Sequence, residues 1–162
     1  MEGIRIVELP RCRMVSSGAA DAGDPFAEDG RLMTFSRWWS ALDEKRADKF
    51  FPRDFMWFDR VMGRLLWYYA LPEGVTDTGG YEVVDYEGGL YAAHTARDGD
   101  DSDGERVFAA IREWVAQSGW FELDERPGHY DMFHVITPKV AAEAMGFSQL
   151  DIYVPIKPKG NS

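Results

Sequence analysis

A chain of 162 residues with 45% hydrophobic content carries enough apolar side chain for one compact domain, or for two small modules sharing a core. Its net charge of −10 leaves no basic stripe to neutralise phosphates, which excludes direct nucleic-acid binding by this chain and favours cationic ligands or basic partners. The single cysteine, Cys12, excludes an internal disulfide framework; with no apolar run near the ~18 residues of a membrane span and no signal-peptide core at the N-terminus, the expectation is a cytoplasmic protein without a membrane partner.

In chain order, Ile4 and Ile6 alternate with Arg5 and Val7 in a first strand that Pro10 interrupts, giving an edge, a bulge or a bend. An Ala/Gly/Asp-rich loop from Ser17 to Asp29 precedes a helix expected over Leu32 to Ala47, with Phe35, Trp38, Trp39 and Leu42 on its apolar face. Two strands follow, Phe55 to Asp59 and Leu65 to Leu71, around a turn at Met62-Gly63. The pattern then restarts. Residues 3–17 align without a gap on residues 80–94, and the break at Pro10-Arg11 falls opposite Glu87-Gly88. A second loop, 97–104, leads into a helix opened by Asp103-Gly104-Glu105-Arg106 and closed by Ser118-Gly119, with Val107, Ala110, Ile111, Trp114 and Val115 facing a sheet. Strands from His129 to Val135 and from Gln149 to Lys157 close the chain, separated by a short helix between Pro138 and Gly146.

The order is β-α-β-β twice. The expected fold is α+β, with duplicated modules (about 3–74 and 79–158) forming one antiparallel sheet, helices packed on it and a cleft near the pseudo-two-fold axis. One domain spans 1–162. In the last strand Leu150, Ile152, Val154 and Ile156 should meet the helices, while Asp151, Tyr153 and Pro155 share the other face. Leu66, Tyr68 and Ala70 occupy the equivalent face in the first half, which makes Tyr68 and Tyr153 symmetry mates.

Reactive chemistry finds little footing. Three histidines and one cysteine lack zinc-ligand spacing, and the acidic run 97–104 lacks the spacing of a calcium loop. Tyr91 and His94 differ in strand parity, as do His129 and His134. Cys12 lies between Arg11 and Arg13, which would lower its pKa, but no histidine partner is placed beside it. Ser16-Ser17-Gly18 is no nucleophile elbow, and the paired glycines are turn glycines rather than a phosphate fingerprint. No cofactor, metal or catalytic residue is assigned. What stands out is aromatic: 6 Trp, 7 Tyr and 10 Phe, with Phe50, Phe51, Phe55, Trp57 and Phe58 in one run and Trp67-Tyr68-Tyr69 in another. Aromatic faces beside carboxylates suit a lipophilic, positively charged molecule.

The ordered set Ile6-Val7-Glu8-Leu9-Pro10, Glu87-Gly88-Gly89-Leu90-Tyr91-Ala92, Glu113-Trp114-Val115-Ala116-Gln117-Ser118-Gly119-Trp120 and Asp151-Ile152-Tyr153-Val154-Pro155-Ile156-Lys157 resembles the GyrI-like small-molecule-binding domain, the effector-binding domain of AraC-type and multidrug-responsive transcription regulators. The resemblance implies an effector-binding sensor for a hydrophobic or cationic molecule, with Trp57, Trp67, Tyr68, Tyr91, Tyr130 and Tyr153 as the pool for its walls and Asp151 as candidate anion. It also implies two alternatives: a hydrolase of cyclopropane-type compounds, and a module binding a basic partner such as DNA gyrase. Where many members carry Glu-x-Tyr, this chain has Gly128 two places before Tyr130, so the family's central carboxylate is not carried over. The regulator version needs a DNA-binding domain upstream or in a partner, because no helix-turn-helix lies in this chain; a natural start at Met1 would favour a free-standing binder or hydrolase.

Overall fold

The computed structural model describes residues 2–46 and 53–160; Phe50, Phe51 and the expected helix end at Ala47 lie outside the described residues. The fold is α+β, with antiparallel strand pairing. The chain forms two compact units, Arg11–Glu87 and a second made of Met1–Pro10 with Gly88–Ser162. These units do not follow the halves 3–74 and 79–158, because each takes the leading strand expected for the other. The chain breaks at Pro10, which has no backbone donor to continue a ladder, and at Gly88-Gly89, where φ of +75° and +152° suits glycine. Each expected bent strand is therefore two strands, one per unit: β1 (Arg5–Leu9) and β2 (Cys12–Ser16), then β5 (Glu82–Tyr86) and β6 (Gly89–Arg97). The gap-free alignment of 3–17 on 80–94 carries Arg5–Leu9 onto Glu82–Tyr86 residue for residue, and Cys12 onto Gly89.

In the contiguous unit, β2 pairs β5 on one side and β4 (Arg64–Ala70) on the other, and β4 pairs β3 (Asp54–Asp59). The β3–β4 turn closes through Gly63, whose N–H donates to the Asp59 carbonyl at 2.7 Å with φ +66°, while the Asp59 carboxylate accepts from Val61 and Met62 N–H. Helix α1 (Arg31–Lys45) starts at Gly30, which offers no capping side chain; Asp21, ten residues upstream, accepts from Arg31 N–H instead. Phe35, Val15, Tyr69 and Leu71 are buried at its contact with the sheet, with Trp38, Trp39, Leu42 and Trp67 packed around them.

The other unit orders its strands β1-β6-β9-β8, where β8 is Met132–Val135 and β9 is Gln149–Pro158. A short β7 (Phe121–Leu123) adds to the far end of β9. Helix α2 (Asp101–Gln117) begins two residues before the expected Asp103, because the Asp100 carboxylate caps it by accepting from Asp103 N–H. Val107, Ile111 and Val115, one turn apart, pack on Ala92 and Ala96 of β6 and on Ile152, Val154 and Ile156, the β9 face expected from alternation. At its end Ser118, not a left-handed glycine, is the C-cap, and its hydroxyl accepts from Trp120 and Phe121 N–H. Helix α3 (Lys139–Met145) follows Pro138 and stops at Gly146 with φ +80°. No helix among the described residues is long and apolar enough to cross a membrane.

Candidate functional site

Strand alternation and register build the site. On β9, Asp151, Tyr153 and Pro155 point away from α2, and their partners across the ladder on β6 are Thr95, Ala93 and Tyr91. On the other side β8 sets His134 opposite Asp151 and Met132 opposite Tyr153, and on β1 Arg5 stands opposite Ala93. This helix-distal face thus collects a carboxylate, two phenols, an imidazole and a guanidinium. Tyr91, Tyr153, Asp151 and His134 are all buried there. The α2 side of β9 is aliphatic by contrast, with Ile152, Val154 and Ile156.

The polar groups are organised. Asp151 accepts from Arg5 Nη2 at 2.5 Å and from Thr95 Oγ1 at 2.8 Å. Its side chain is 6% exposed, whereas that of Arg5 is 49% exposed, so the cation reaches the buried anion from solvent. The rings of Tyr91 and Tyr153 meet edge to face with centroids 6.1 Å apart. Burial pushes the Tyr153 phenol up to about 12, and the charge and hydrogen bond of Asp151 add to the effect while Arg5 opposes it.

A second buried carboxylate stands just beyond β7. Asp124 donates its own N–H to the Pro155 carbonyl at 3.0 Å, and its carboxylate accepts from Arg126 Nε and Nη2 at 2.8 to 3.0 Å. That Arg126 hydrogen bond holds the carboxyl below the usual range, against the effect of burial. His129 Nδ1 lies 4.0 Å from Asp124 Oδ2, and both side chains are buried. The imidazole faces Gly89, where an added Cβ would stand 3.4 Å from the ring. Sequence alternation sets His129 at the start of a strand, whereas the structure leaves it in irregular backbone before Met132, and it misses Asp124, whose one local signal is the Asp124-x-Arg126 spacing.

The sequence-derived pool divides. Tyr91, Tyr153 and Asp151 come together as described. In the contiguous unit, Trp57 and Tyr68 share the face away from α1, with ring centroids 5.8 Å apart. Trp67 stands on the opposite face, edge-on to Trp39 and tilted against Phe35 under α1, and its Nε1–H donates to Asp54 at 3.0 Å. Tyr130 lies in the loop before β8 and is 39% exposed. The chemistry expected at Cys12 is reversed: Arg11 is engaged with Asp85, and burial pushes the thiol pKa up. His94 lies on the α2 side of β6, opposite Ile152, with Nε2 3.1 Å from the Glu2 carbonyl. Elsewhere in the contiguous unit, an open depression of about 470 Å³ is lined by Ala19, Ala20, Ala22, Asp21, Arg31, Met62 and Arg64, none of them from that pool.

No protein-family model matches the chain, and no curated protein does. Solved structures do match in fold. SAV2435, whose structure holds bound tetraphenylphosphonium, is 12% identical with a TM-score of 0.56, over 97% of this chain and 94% of that one. A hydrolase from Listeria innocua is 13% identical with a TM-score of 0.56, over 95% and 91%. A protein from Staphylococcus aureus MU50, proposed to act in bacterial transcription regulation, is 13% identical with a TM-score of 0.52, over 95% and 97%. At these identities the likeness is one of fold.

Proposed function

We propose that the protein binds a lipophilic small molecule, as the sensor of a transcription regulator of the GyrI-like type, and that the helix-distal face holding Tyr91, Tyr153 and Asp151 contributes to the site. The observation that carries this reading is the buried aromatic pair set against a buried, hydrogen-bonded carboxylate, a combination that an aliphatic core would not need. Supporting it, the fold is shared with a protein whose structure holds tetraphenylphosphonium and with one proposed to regulate transcription. The repeated β-α-β-β order and the residue-for-residue match of β1 with β5 fit an origin by duplication.

The test is a thermal-shift panel of aryl phosphonium salts, cationic dyes and neutral lipophiles. A raised melting temperature that Tyr153→Ala abolishes and Trp67→Phe leaves in place supports the reading. A panel without a single shift sinks it.

A second reading rests on a different observation. A buried imidazole, His129, stands 4.0 Å from the Asp124 carboxylate that Arg126 holds, a candidate base with an acid beside it, and one fold neighbour is a hydrolase. Turnover of a cyclopropane-bearing electrophile, lost in His129→Ala, would establish it; a rate equal to buffer would remove it.

A further inference from the structure

The Arg5–Asp151 pair bears on which ligands the site takes. Asp151 is the carboxylate that would attract a cationic ligand, yet its charge is already met by a guanidinium from the same unit. The geometry of that pair is asymmetric. Asp151 is fixed: its side chain is 6% exposed, it sits on an interior strand, and it keeps the Thr95 hydrogen bond independently of Arg5. Arg5 projects from β1, which pairs only β6 among the described strands, and its side chain is half exposed. The partner that can leave when another cation takes its place is therefore Arg5, whose guanidinium re-enters water, and not the anion.

We propose that Arg5 is a resident cation that competes with positively charged ligands for Asp151, and so biases the site toward neutral lipophilic molecules. This rests on the ligand-binding reading above. A ligand cation approaching Tyr91 and Tyr153 meets the field of Arg5 as well as that of Asp151, and the same two charges act in opposite directions on the Tyr153 phenol, whose upward shift comes first from burial. A neutral aryl molecule meets no such competition and gains from ring contact alone. Removing the guanidinium leaves a buried carboxylate that only an incoming cation can neutralise, or a proton.

Methyltriphenylphosphonium and triphenylphosphine oxide carry the same three rings on phosphorus and differ by one charge. Calorimetric titration of both into the full chain reads the effect. The wild type should bind the oxide more tightly than the phosphonium. Arg5→Met should tighten phosphonium binding about tenfold, as for removal of one competing charge near a desolvated partner, and leave the oxide within about twofold. Arg5→Met/Asp151→Asn should lose the gain. Arg5→Gln, which keeps a donor and drops the charge, serves if the methionine variant does not fold. A folded Arg5 variant that binds the phosphonium no better than wild type overturns the inference, as does a gain that survives Asp151→Asn. If none of the proteins binds either compound, the ligand-binding reading itself falls.

Discussion

Arg5 and Asp151 stand 146 positions apart in the sequence and meet at 2.5 Å, the guanidinium half in solvent and the carboxylate buried. An exposed ion pair contributes about 0–1 kcal/mol, and breaking a buried one costs about 3–5 kcal/mol. With one partner in each environment, Arg5→Met should cost about 2 kcal/mol in urea unfolding. Asp151→Asn/Arg5→Met should recover part of that loss, since no uncompensated buried charge remains.

Asp124 sets an acid limit on stability. Its folded pKa lies below the ordinary carboxylate value because Arg126 bonds the ionised form. The unfolded chain therefore binds a proton first as the pH falls. The stabilisation is fully present above the unfolded carboxylate value, near pH 4, and is lost as the pH drops through the folded value. Melting temperatures measured from pH 6 to pH 2 should fall less steeply below pH 4 in Asp124→Asn than in wild type. Equal slopes would remove the Arg126 contact from the account.

Tyr153 titrates in the opposite sense. Its folded value of about 12 lies above that of a free phenol, so the folded state holds its proton longer. Stability from this group is complete below pH ~10 and declines as the pH rises from there toward about 12. In an absorbance titration of phenolate, Tyr153→Phe should remove amplitude from the late phase of the curve and none from the phase near pH ~10.

Gly79 has a φ of +60°, and an added Cβ there would fall 2.5 Å from the Trp38 ring. Left-handed backbone costs a non-glycine residue about 1 kcal/mol, and overpacking adds about 1–3 kcal/mol, so Gly79→Ala should lose about 2–4 kcal/mol of stability. Gly63→Ala, with a similar φ but open space around the site, should lose only the backbone part. A chemical-denaturation series separates the two.

The two short-range helices of the second unit offer a contrast in packing. Ile111 on α2 is fully buried, and Ile111→Ala should cost about 2–5 kcal/mol. Val140 on α3 is 75% exposed, and its truncation should change unfolding by no more than about 0.5 kcal/mol.

Much of this was readable before the structure because of period. Ile152, Val154 and Ile156 alternate with Asp151, Tyr153 and Pro155, and a two-residue repeat leaves only one way to bury the aliphatic set. The same rule separates Trp67 from Tyr68, yet the sequence-derived pool held both, since a strand lined with aromatics on each face gives no contrast in hydrophobicity. Strand β7 escaped because three residues are too few to show alternation. Strand β8 was expected to begin at His129, but Gly128 at φ +83° and the turn from Arg126 to His129 keep the chain irregular until Met132. The start of α2 was misplaced within a run of aspartates, each a plausible cap, and only geometry picks out Asp100. Arg5 lies within the alternation of the first strand and Asp124 has only its spacing to Arg126, and neither signal points to Asp151, 146 positions from Arg5, or to His129.

The exchange of leading strands has a consequence for synthesis. One unit, Arg11–Glu87, is a single stretch of chain and is complete once its last strand has left the ribosome. The other has its first strand made at the outset, yet the partner of β1, the strand Gly89–Arg97, is made only after the whole contiguous unit, so β1, with Ile6 and Val7, must wait unpaired through that interval. Expressing the chain as two pieces cut between the sequence halves would leave each piece holding the other's edge strand. Such fragments would be complementary, able to restore the whole only by trading those strands.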